Sequence, residues 1–426
     1  MVTRRALLAR LLSASLLAVS SGSTMRPPAG EQDEIEGRAP TPEELRPSVE
    51  AAFADESYRP GSIASLRIFN RARGIRMQLF RIGSDAEPTR GRSEMQGVAV
   101  TNASFVGSSR GHRIVRVPIG DWPSGLYFAR LQAADGRVGF APFVLRPRVL
   151  GENPVAVVMP TLTWQAYNLR DDDGDGQGDS WYSSWKIHTV RVARPFLNRG
   201  VPYNFRSYDL PFLEWLDRTG KQVDVLSQAD LEATSSARAL ARAYRLIVFP
   251  GHHEYVTTRE YDRIQGYRNL GGHLMFLSAD NFCWRVVRHG RAIEKTRLWR
   301  DLGRPEAALI GVQYRGNDRG THRGAWILRH ARAESWAFAG TSLGPGDGLS
   351  NGGIEIDKTS PASPKGIQVL AEIPNLFGPG FTGQMTYYER PSGAEVFAAG
   401  AFTLAGAVRE PKVATLIENV WTHMTE

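Results

Sequence analysis

The sequence predicts an α/β protein: an open, doubly wound sheet with a small all-β unit in front of it. Three observations carry this expectation. Short period-2 apolar runs fill residues 49–149. Continuous apolar runs alternate with helix-like stretches from Pro154 onward. Polar, potentially ligating residues then recur just after those continuous runs.

The chain opens with "MVTRRALLARLLSASLLAVSSGS", which places Arg4 and Arg5 before an apolar stretch and then small residues. That order reads as a secretory signal over residues 1–21, with a "TRRALL" start of the twin-arginine kind, although Arg10 interrupts the apolar stretch. The expected location is therefore periplasmic or extracellular. Residues 22–48 are rich in Pro and acid and read as a disordered linker. From 49 to 149, runs such as "SIASLRIFN", "IRMQLFRIG" and "GLYFARLQA" alternate in polarity and are separated by turns such as "DWPSG", as in a β-sandwich-like domain.

Residues 150–426 form the expected α/β unit. "PVAVVMP" is a buried parallel strand, "LPFLEWLDRTG" a helix ending at Gly220 and "QVDVLS" a strand. "DLEATSSARALARAY" reads as one helix, "RLIVFPG" as a strand, and "TTREYDRIQGYRNLGG" as a helix with a Thr cap and a terminal glycine pair. "HLMFLSA" is the next strand. Beyond Arg300 the Gly-rich, strand-like pieces "ALIGVQYR", "AWILRH", "MTYYERPSG" and "AEVFAAGAFT" read as an extension of the sheet. "KVATLIENVWTHM" is a closing helix.

Composition removes several function classes. The formal charge of +8 falls to about +5 once a signal carrying three arginines is removed, and the remaining arginines form no dense basic run, which argues against nucleic-acid binding. No internal apolar run approaches the ~20 residues of a membrane span, so no stable membrane insertion is expected after signal removal. Cys283 is the only cysteine, so no intrachain disulfide is possible, and the signal region has no cysteine to carry a lipid. An oligomer stays open.

In an open α/β sheet, ligands sit beyond the carboxyl ends of the strands. Here those ends supply Tyr167 and Asn168 in "MPTLTWQAYN", His252, His253 and Glu254 in "PGHHEY", and Asp280 and Asn281 in "SADNFCW". His252 and Glu254, two apart, suit an extended turn, and the helical zinc motif H-E-x-x-H is absent. No serine elbow is present either. Cys283 as a nucleophile is a third reading, but the aromatic setting "FCW" more often means a buried, inert thiol. A lone tyrosine after a strand is usually a packing residue, His253 is expected as a structural neighbour, and Asp280 as the start of a turn.

"TWQAYN", "YDLPFLEWLDRTGKQVDVLSQADL", "GHHEY", "SADNFCWRV", "WAFAGTSLGPGDGL", "GIEIDKTSP" and "MTYYERPSGAEVFAAG" together resemble the C-terminal catalytic region of the large (beta) subunit of N,N-dimethylformamidase and its relatives. The resemblance runs from about Pro154 to the C-terminus. It implies a class I glutamine-amidotransferase-like fold for the α/β unit and hydrolysis of an amide C–N bond of a small-molecule substrate. It also implies a ferric ion held by two tyrosinates and a glutamate, corresponding to Tyr167, Tyr208 and Glu254, with His252 and Asn281 beside them as catalytic groups. The chemistry is coherent, because phenolate and carboxylate oxygens are hard anionic donors for Fe(III). A tyrosine of pKa about 10 ligates at neutral pH only when a strongly charged cation displaces its proton. The dimethylformamidase enzyme also has a small partner subunit and a larger N-terminal region.

A second metal is suggested by "DDDGDGQGDSW". Asp171, Asp173, Asp175, Gln177 and Asp179, with Gly176 in sixth place, match the first half of an EF-hand-like calcium loop, although the twelfth position is Tyr182 rather than Glu. Close carboxylates repel one another without a cation. The alternative function is a catalytically silent exported binding or surface protein whose loop is held by calcium.

Overall fold

In the computed structural model, residues 38–84, 94–106, 113–184, 186–329 and 333–426 are described. The signal expected at residues 1–21 and the linker as far as residue 37 lie outside them. Among the described residues no helix is long and apolar enough to cross a membrane.

A nine-stranded sheet organises the chain. Its first five strands, in spatial order Asp224–Ser227, Val155–Met159, Leu246–Phe249, His273–Phe276 and Glu395–Ala398, are all parallel. Gly383–Glu389, Gln368–Ile373, Arg323–Leu328 and Gly348–Gly353 continue it antiparallel. Thus most of the tail beyond Arg300 extends the same sheet, whereas "ALIGVQYR" does not: its strand, Gln313–Asn317, pairs with Glu355–Lys358 in a separate two-stranded sheet.

Alternation along each parallel strand feeds two separate cores. Val155, Val157 and Met159 pack on one face with Leu210, Phe212 and Trp215 of the helix Leu210–Arg218 and with Leu416, Val420 and Trp421 of the helix Pro411–Thr425. Ala156 and Val158 point the other way, to Leu231, Leu240, Tyr261 and Ile264 of the helices on the opposite face. Continuous apolar runs result because both faces are covered. The stretch expected as one helix from Asp230 to Tyr244 is two, Gln228–Ala233 and Ala237–Ala243. The side chain of Ser236 caps the second through the Ala239 amide, and that cap competes with helix continuity.

Residues 49–149 hold two sheets. One is Ala51–Phe53, Ile63–Ile68 and Arg113–Pro118; the other is built on Val138–Leu145, Gly125–Gln132 and Arg76–Arg81. Phe53, Leu66 and Val117 meet Leu79, Tyr127 and Phe143 between them. The opposite face of the second sheet is apolar as well: Leu126, Phe128, Phe140 and Val144 join the core of the helix Leu210–Arg218. This β-rich part is therefore packed onto the α/β part rather than tethered to it.

Polar contacts fix the same junction. Glu56 accepts from Thr161 Oγ1 (2.5 Å) and pairs with Arg288 (2.8 Å), while Ser57 and Arg146 both reach Asp230. Thr161 starts the short helix Thr161–Ala166, whose C-terminal cap is Tyr167. Gln228 Oε1 accepts from the Leu162 amide (2.9 Å), so this helix is held from two sides.

Candidate metal centre

Strand Val155–Met159 lies between Asp224–Ser227 and Leu246–Phe249, so chain direction across the sheet reverses there and a crevice opens beyond the carboxyl ends. Tyr167, at the end of the helix that follows Val155–Met159, enters it from one side, and His252 and Glu254 from the end of Leu246–Phe249. The resulting contacts are short. Tyr167 Oη lies 2.8 Å from His252 Nε2 and 3.1 Å from Glu254 Oε2. Tyr182 Oη donates to the same Glu254 oxygen at 2.7 Å and lies 3.2 Å from Tyr255 Oη. The Tyr167 and Tyr182 rings stack at 4.0 Å, and Tyr203 stacks on Tyr167 at 5.7 Å.

Tyr182 reaches this position because the loop before it is stapled. The buried Arg194 donates to the carbonyls of Gln165, Asn168 and Asp179 (3.0, 2.9 and 2.7 Å) and pairs with Asp172 (3.0 Å). It thereby ties the helix end at Tyr167 to the last acid before Tyr182. Arg38, inside the segment 22–48 read as linker, donates its amide to the Tyr182 carbonyl (3.2 Å) and lays its guanidinium over Tyr203.

His252 Nδ1 lies 2.9 Å from the Ala279 carbonyl. A carbonyl only accepts, so Nδ1 carries the proton and Nε2 is presented to the centre, as in a histidine oriented for a ligand. Nε2 is 3.3 Å from Glu254 Oε2 and 3.4 Å from Glu355 Oε2. Glu355 and Asp357 stand on one side of strand Glu355–Lys358 while Ile356 enters the core on the other. Asp357 Oδ1 then accepts the Asp280 amide (2.9 Å).

Electrostatics follow from burial. Desolvation, with the negative charge of Glu254 and Glu355, pushes the Tyr167 hydroxyl well above its ordinary range. Tyr182 is raised by burial and by Glu254 in the same way. Burial also pushes Glu254 upward, but hydrogen bonds from His252, Tyr182 and Tyr255, with the charge of His252, outweigh it and hold the carboxyl below the usual range. Asp280 is raised well above that range by burial and by its neighbours Glu254 and Asp357. Neither phenol ionises in such surroundings without a cation. With one, two phenols, a carboxylate and an imidazole nitrogen converge as a hard-donor set, and the residues present fit a trivalent or divalent ion.

The remaining expected residues are accounted for as follows. Asn281 Oδ1 accepts the His253 amide (3.0 Å), while its Nδ2 is buried without a partner. His253 is fully buried and packs edge-on to Phe249, and burial lowers its pKa to about 3, in keeping with a structural role. Cys283 is buried and its thiol is raised well above the ordinary value by desolvation and by Asp280, so it is no thiolate nucleophile. Tyr208 lies in a single π-helical turn, Phe205–Asp209, a form frequent at functional sites. Its ring packs edge-on to Phe402 (4.9 Å), which lies 4.8 Å from the His252 ring.

In the acidic loop, Asp171, Asp173 and Asp179 each bring a carboxylate oxygen within 4.8 Å of the others. Asp175 Oδ1 accepts the Gln177 amide (2.7 Å), and the Gln177 side chain donates to the Ser183 carbonyl (3.3 Å). Tyr182 and Glu355 were not among the expected site residues. The signals that could have singled out Glu355 are the alternation of "EID" in a strand and its place in the motif "GIEIDKTSP"; for Tyr182 there was none.

A family model described as N,N-dimethylformamidase beta subunit-like, C-terminal, matches residues 113–415, starting ahead of the Pro154 boundary expected from the motifs. The N,N-dimethylformamidase beta subunits of an Alcaligenes species and of Paracoccus aminophilus are each 28% identical to it over 201 residues, covering 46% of this chain. The chain spans only 25% of the length of those relatives. A superoxide reductase from Ignicoccus hospitalis overlaps 24% of this chain and 82% of its own at 9% identity, with a TM-score of 0.17, too slight to inform on fold. From the family match, the chain belongs to the N,N-dimethylformamidase beta subunit-like, C-terminal family.

Proposed function

We propose that this protein hydrolyses the C–N bond of a small amide at a ferric centre held by Tyr167, Tyr182 and Glu254. The observation that carries the reading is the convergence of two phenol hydroxyls on one buried carboxylate oxygen beside His252. The names of the relatives support the amide substrate class. Tyr208, the second tyrosine suggested by motif resemblance, is assigned a neighbouring position in the wall.

A ferric ion in this donor set supplies a Lewis acid that polarises the amide carbonyl and lowers the pKa of water. The chain's own groups do the rest. Glu254 accepts a proton from the attacking water, whose oxygen forms the new bond to the carbonyl carbon. His252 Nε2, 3.3 Å from Glu254 Oε2, receives that proton from Glu254 and delivers it to the departing amine nitrogen as the C–N bond breaks, giving a carboxylic acid and an amine. Asn281 Nδ2, a buried donor with no protein partner, is assigned to the carbonyl oxygen. The acidic loop is proposed as a structural calcium site built on Asp171, Asp173 and Asp179. Export and the amidotransferase-like assignment of the α/β part belong to the same proposal; residues 1–21 support the first, and the parallel strand order with helices on both faces supports the second.

The test is elemental analysis of the purified chain together with a panel of small amides. One iron per chain, a tyrosinate-to-iron colour and turnover of at least one amide are expected. Iron-free, colourless protein after expression with ample iron removes the proposal and favours the silent binding protein.

A further inference from the structure

The motif "SADNFCW" drew attention to Asn281, with Asp280 as a turn residue. The structure gives the two residues a different division of labour. Asn281 Oδ1 is tied to the His253 amide (3.0 Å). One carboxylate oxygen of Asp280, by contrast, lies within 4.8 Å of ligand atoms of both His252 and Glu254, and all three residues are buried. Asp280 is 5% exposed, and its Oδ1 is buried with no hydrogen-bond partner.

The backbone shows that this carboxylate is not needed for the turn. Asp280 sits at φ +50° and Phe282 at +59°, a region that L-residues enter rarely and glycine enters freely. The loop is pinned by Asp280 N to Asp357 Oδ1 (2.9 Å), Phe282 N to the His253 carbonyl (2.7 Å) and His253 N to Asn281 Oδ1 (3.0 Å). None of these bonds uses the Asp280 side chain. A glycine would make the same turn without strain, so the carboxylate has another use. Next to Glu254 and Asp357, a carboxylate oxygen without a hydrogen-bond partner in a dry interior is stable as an anion only beside a cation.

We propose that Asp280 is a further ligand of this centre, one of its carboxylate oxygens binding the same cation as Glu254. The proposal rests on the metal reading above. It adds a second carboxylate to the donor set, at a position where the resemblance names none.

The experiment uses the full chain loaded with Fe(III), and iron affinity is measured by competition with a coloured chelator. Asp280→Asn keeps size and hydrogen bonding but loses the anionic donor; Asp357→Asn is the control for a lost neighbouring charge, since its amide oxygen still accepts the Asp280 amide. Asp280→Asn is expected to weaken iron binding at least about tenfold, with Asp357→Asn close to wild type. In a crystal structure of the loaded chain, one Asp280 carboxylate oxygen is expected about 2.0–2.2 Å from the ion. An unchanged affinity in Asp280→Asn, or a loss no larger than in Asp357→Asn, overturns the inference alone. A wild-type chain that binds no metal overturns it together with the ferric reading. Iron that depends on Asp280 without turnover of any amide supports it and removes only the hydrolase.

Discussion

Tyr182 Oη donates to Glu254 Oε2 at 2.7 Å, and this contact is what favours Tyr182 over Tyr208 as the partner of Tyr167 in the proposed ligand set. Both hydroxyls reach one oxygen, so displacing their protons by one cation creates two phenolates on a shared carboxylate. Three conservative substitutions separate the candidates. Tyr167→Phe and Tyr182→Phe are each expected to abolish the tyrosinate-to-iron absorption or weaken iron binding by about 10–100-fold. Tyr208→Phe is expected to keep both colour and iron. A colourless Tyr208→Phe beside a coloured Tyr182→Phe, read by visible absorption, would restore Tyr208 to the ligand set.

That contact also shows why the sequence was only partly legible. Strands such as "VAVVM" and "LIVF" announce themselves because burial on both faces demands unbroken apolar runs. Their ends were correspondingly readable, which brought Tyr167, His252 and Glu254 to one crevice. Tyr182 follows an acidic loop, and nothing local distinguishes a tyrosine aimed at Glu254 from one packed in a core. Its position depends on Arg194 stapling the loop to the end of the Thr161–Ala166 helix, a contact between distant segments. Glu355 and Asp357 were hidden differently, inside a short strand whose pairing partner, Gln313–Asn317, is irregular. The positive φ at Asp280, by which the backbone makes this turn without using the carboxylate, is likewise invisible in sequence.

Gly251 couples the strand end to the rest of the site. A Cβ added there would lie 2.2 Å from Asp209 Oδ1 and 2.9 Å from Pro160 Cγ. Asp209 cannot easily retreat, since it is buried and its other oxygen accepts from Trp164 Nε1 (3.1 Å). Gly251→Ala is therefore expected to destabilise the fold by about 1–3 kcal/mol and to move His252, which follows directly. In a double-mutant cycle by urea denaturation, adding Asp209→Ala should cost less in the Gly251→Ala background than in the wild type, because the first change has already strained the contact. Strict additivity would show that the two side chains do not compete for one space.

The acidic loop makes a separate, measurable claim. Asp171 accepts from the amides of Gly174 (2.6 Å) and Gly176 (2.9 Å), which lower its pKa, so its charge is retained. At Asp173 the Asp175 amide pulls downward, yet desolvation and the charges of Asp175, Asp179 and Asp171 leave it raised. A cation relieves that repulsion. Calcium at a hundredfold excess over its Kd would add about 2.7 kcal/mol, so the melting temperature should rise on adding calcium and fall with chelator. Asp173→Asn should lose the response. Identical melting curves with calcium and with chelator would assign the loop to solvated turn structure.

His273 and Glu395 oppose one another across the sheet. The Glu395 amide donates to His273 Nδ1 (3.1 Å), which fixes that nitrogen as an acceptor, and the Glu395 carboxylate lies 3.7 Å away. Burial, with the charges of Arg245 and His423, lowers His273 to about 4, while burial and Glu389, against Arg245 and Tyr387, raise Glu395 to about 7. For the imidazole the unfolded chain binds more protons, so its share of stability is present above about pH 6.5 and is lost as pH falls towards 4. For the carboxyl the folded chain binds more, so its share is present below the ordinary pKa of about 4.3 and is lost as pH rises towards 7. Between about pH 5 and 6 the two slopes, each at most about 1.4 kcal/mol per pH unit and less with solvent screening, nearly cancel. Relative to wild type, Glu395→Gln should therefore lose stability on acidification. His273→Gln, whose amide oxygen can still accept the Glu395 amide, should lose it as pH rises. Urea midpoints measured across that interval decide the matter: two variants that track the wild-type slope would mean that neither group changes its proton affinity on folding.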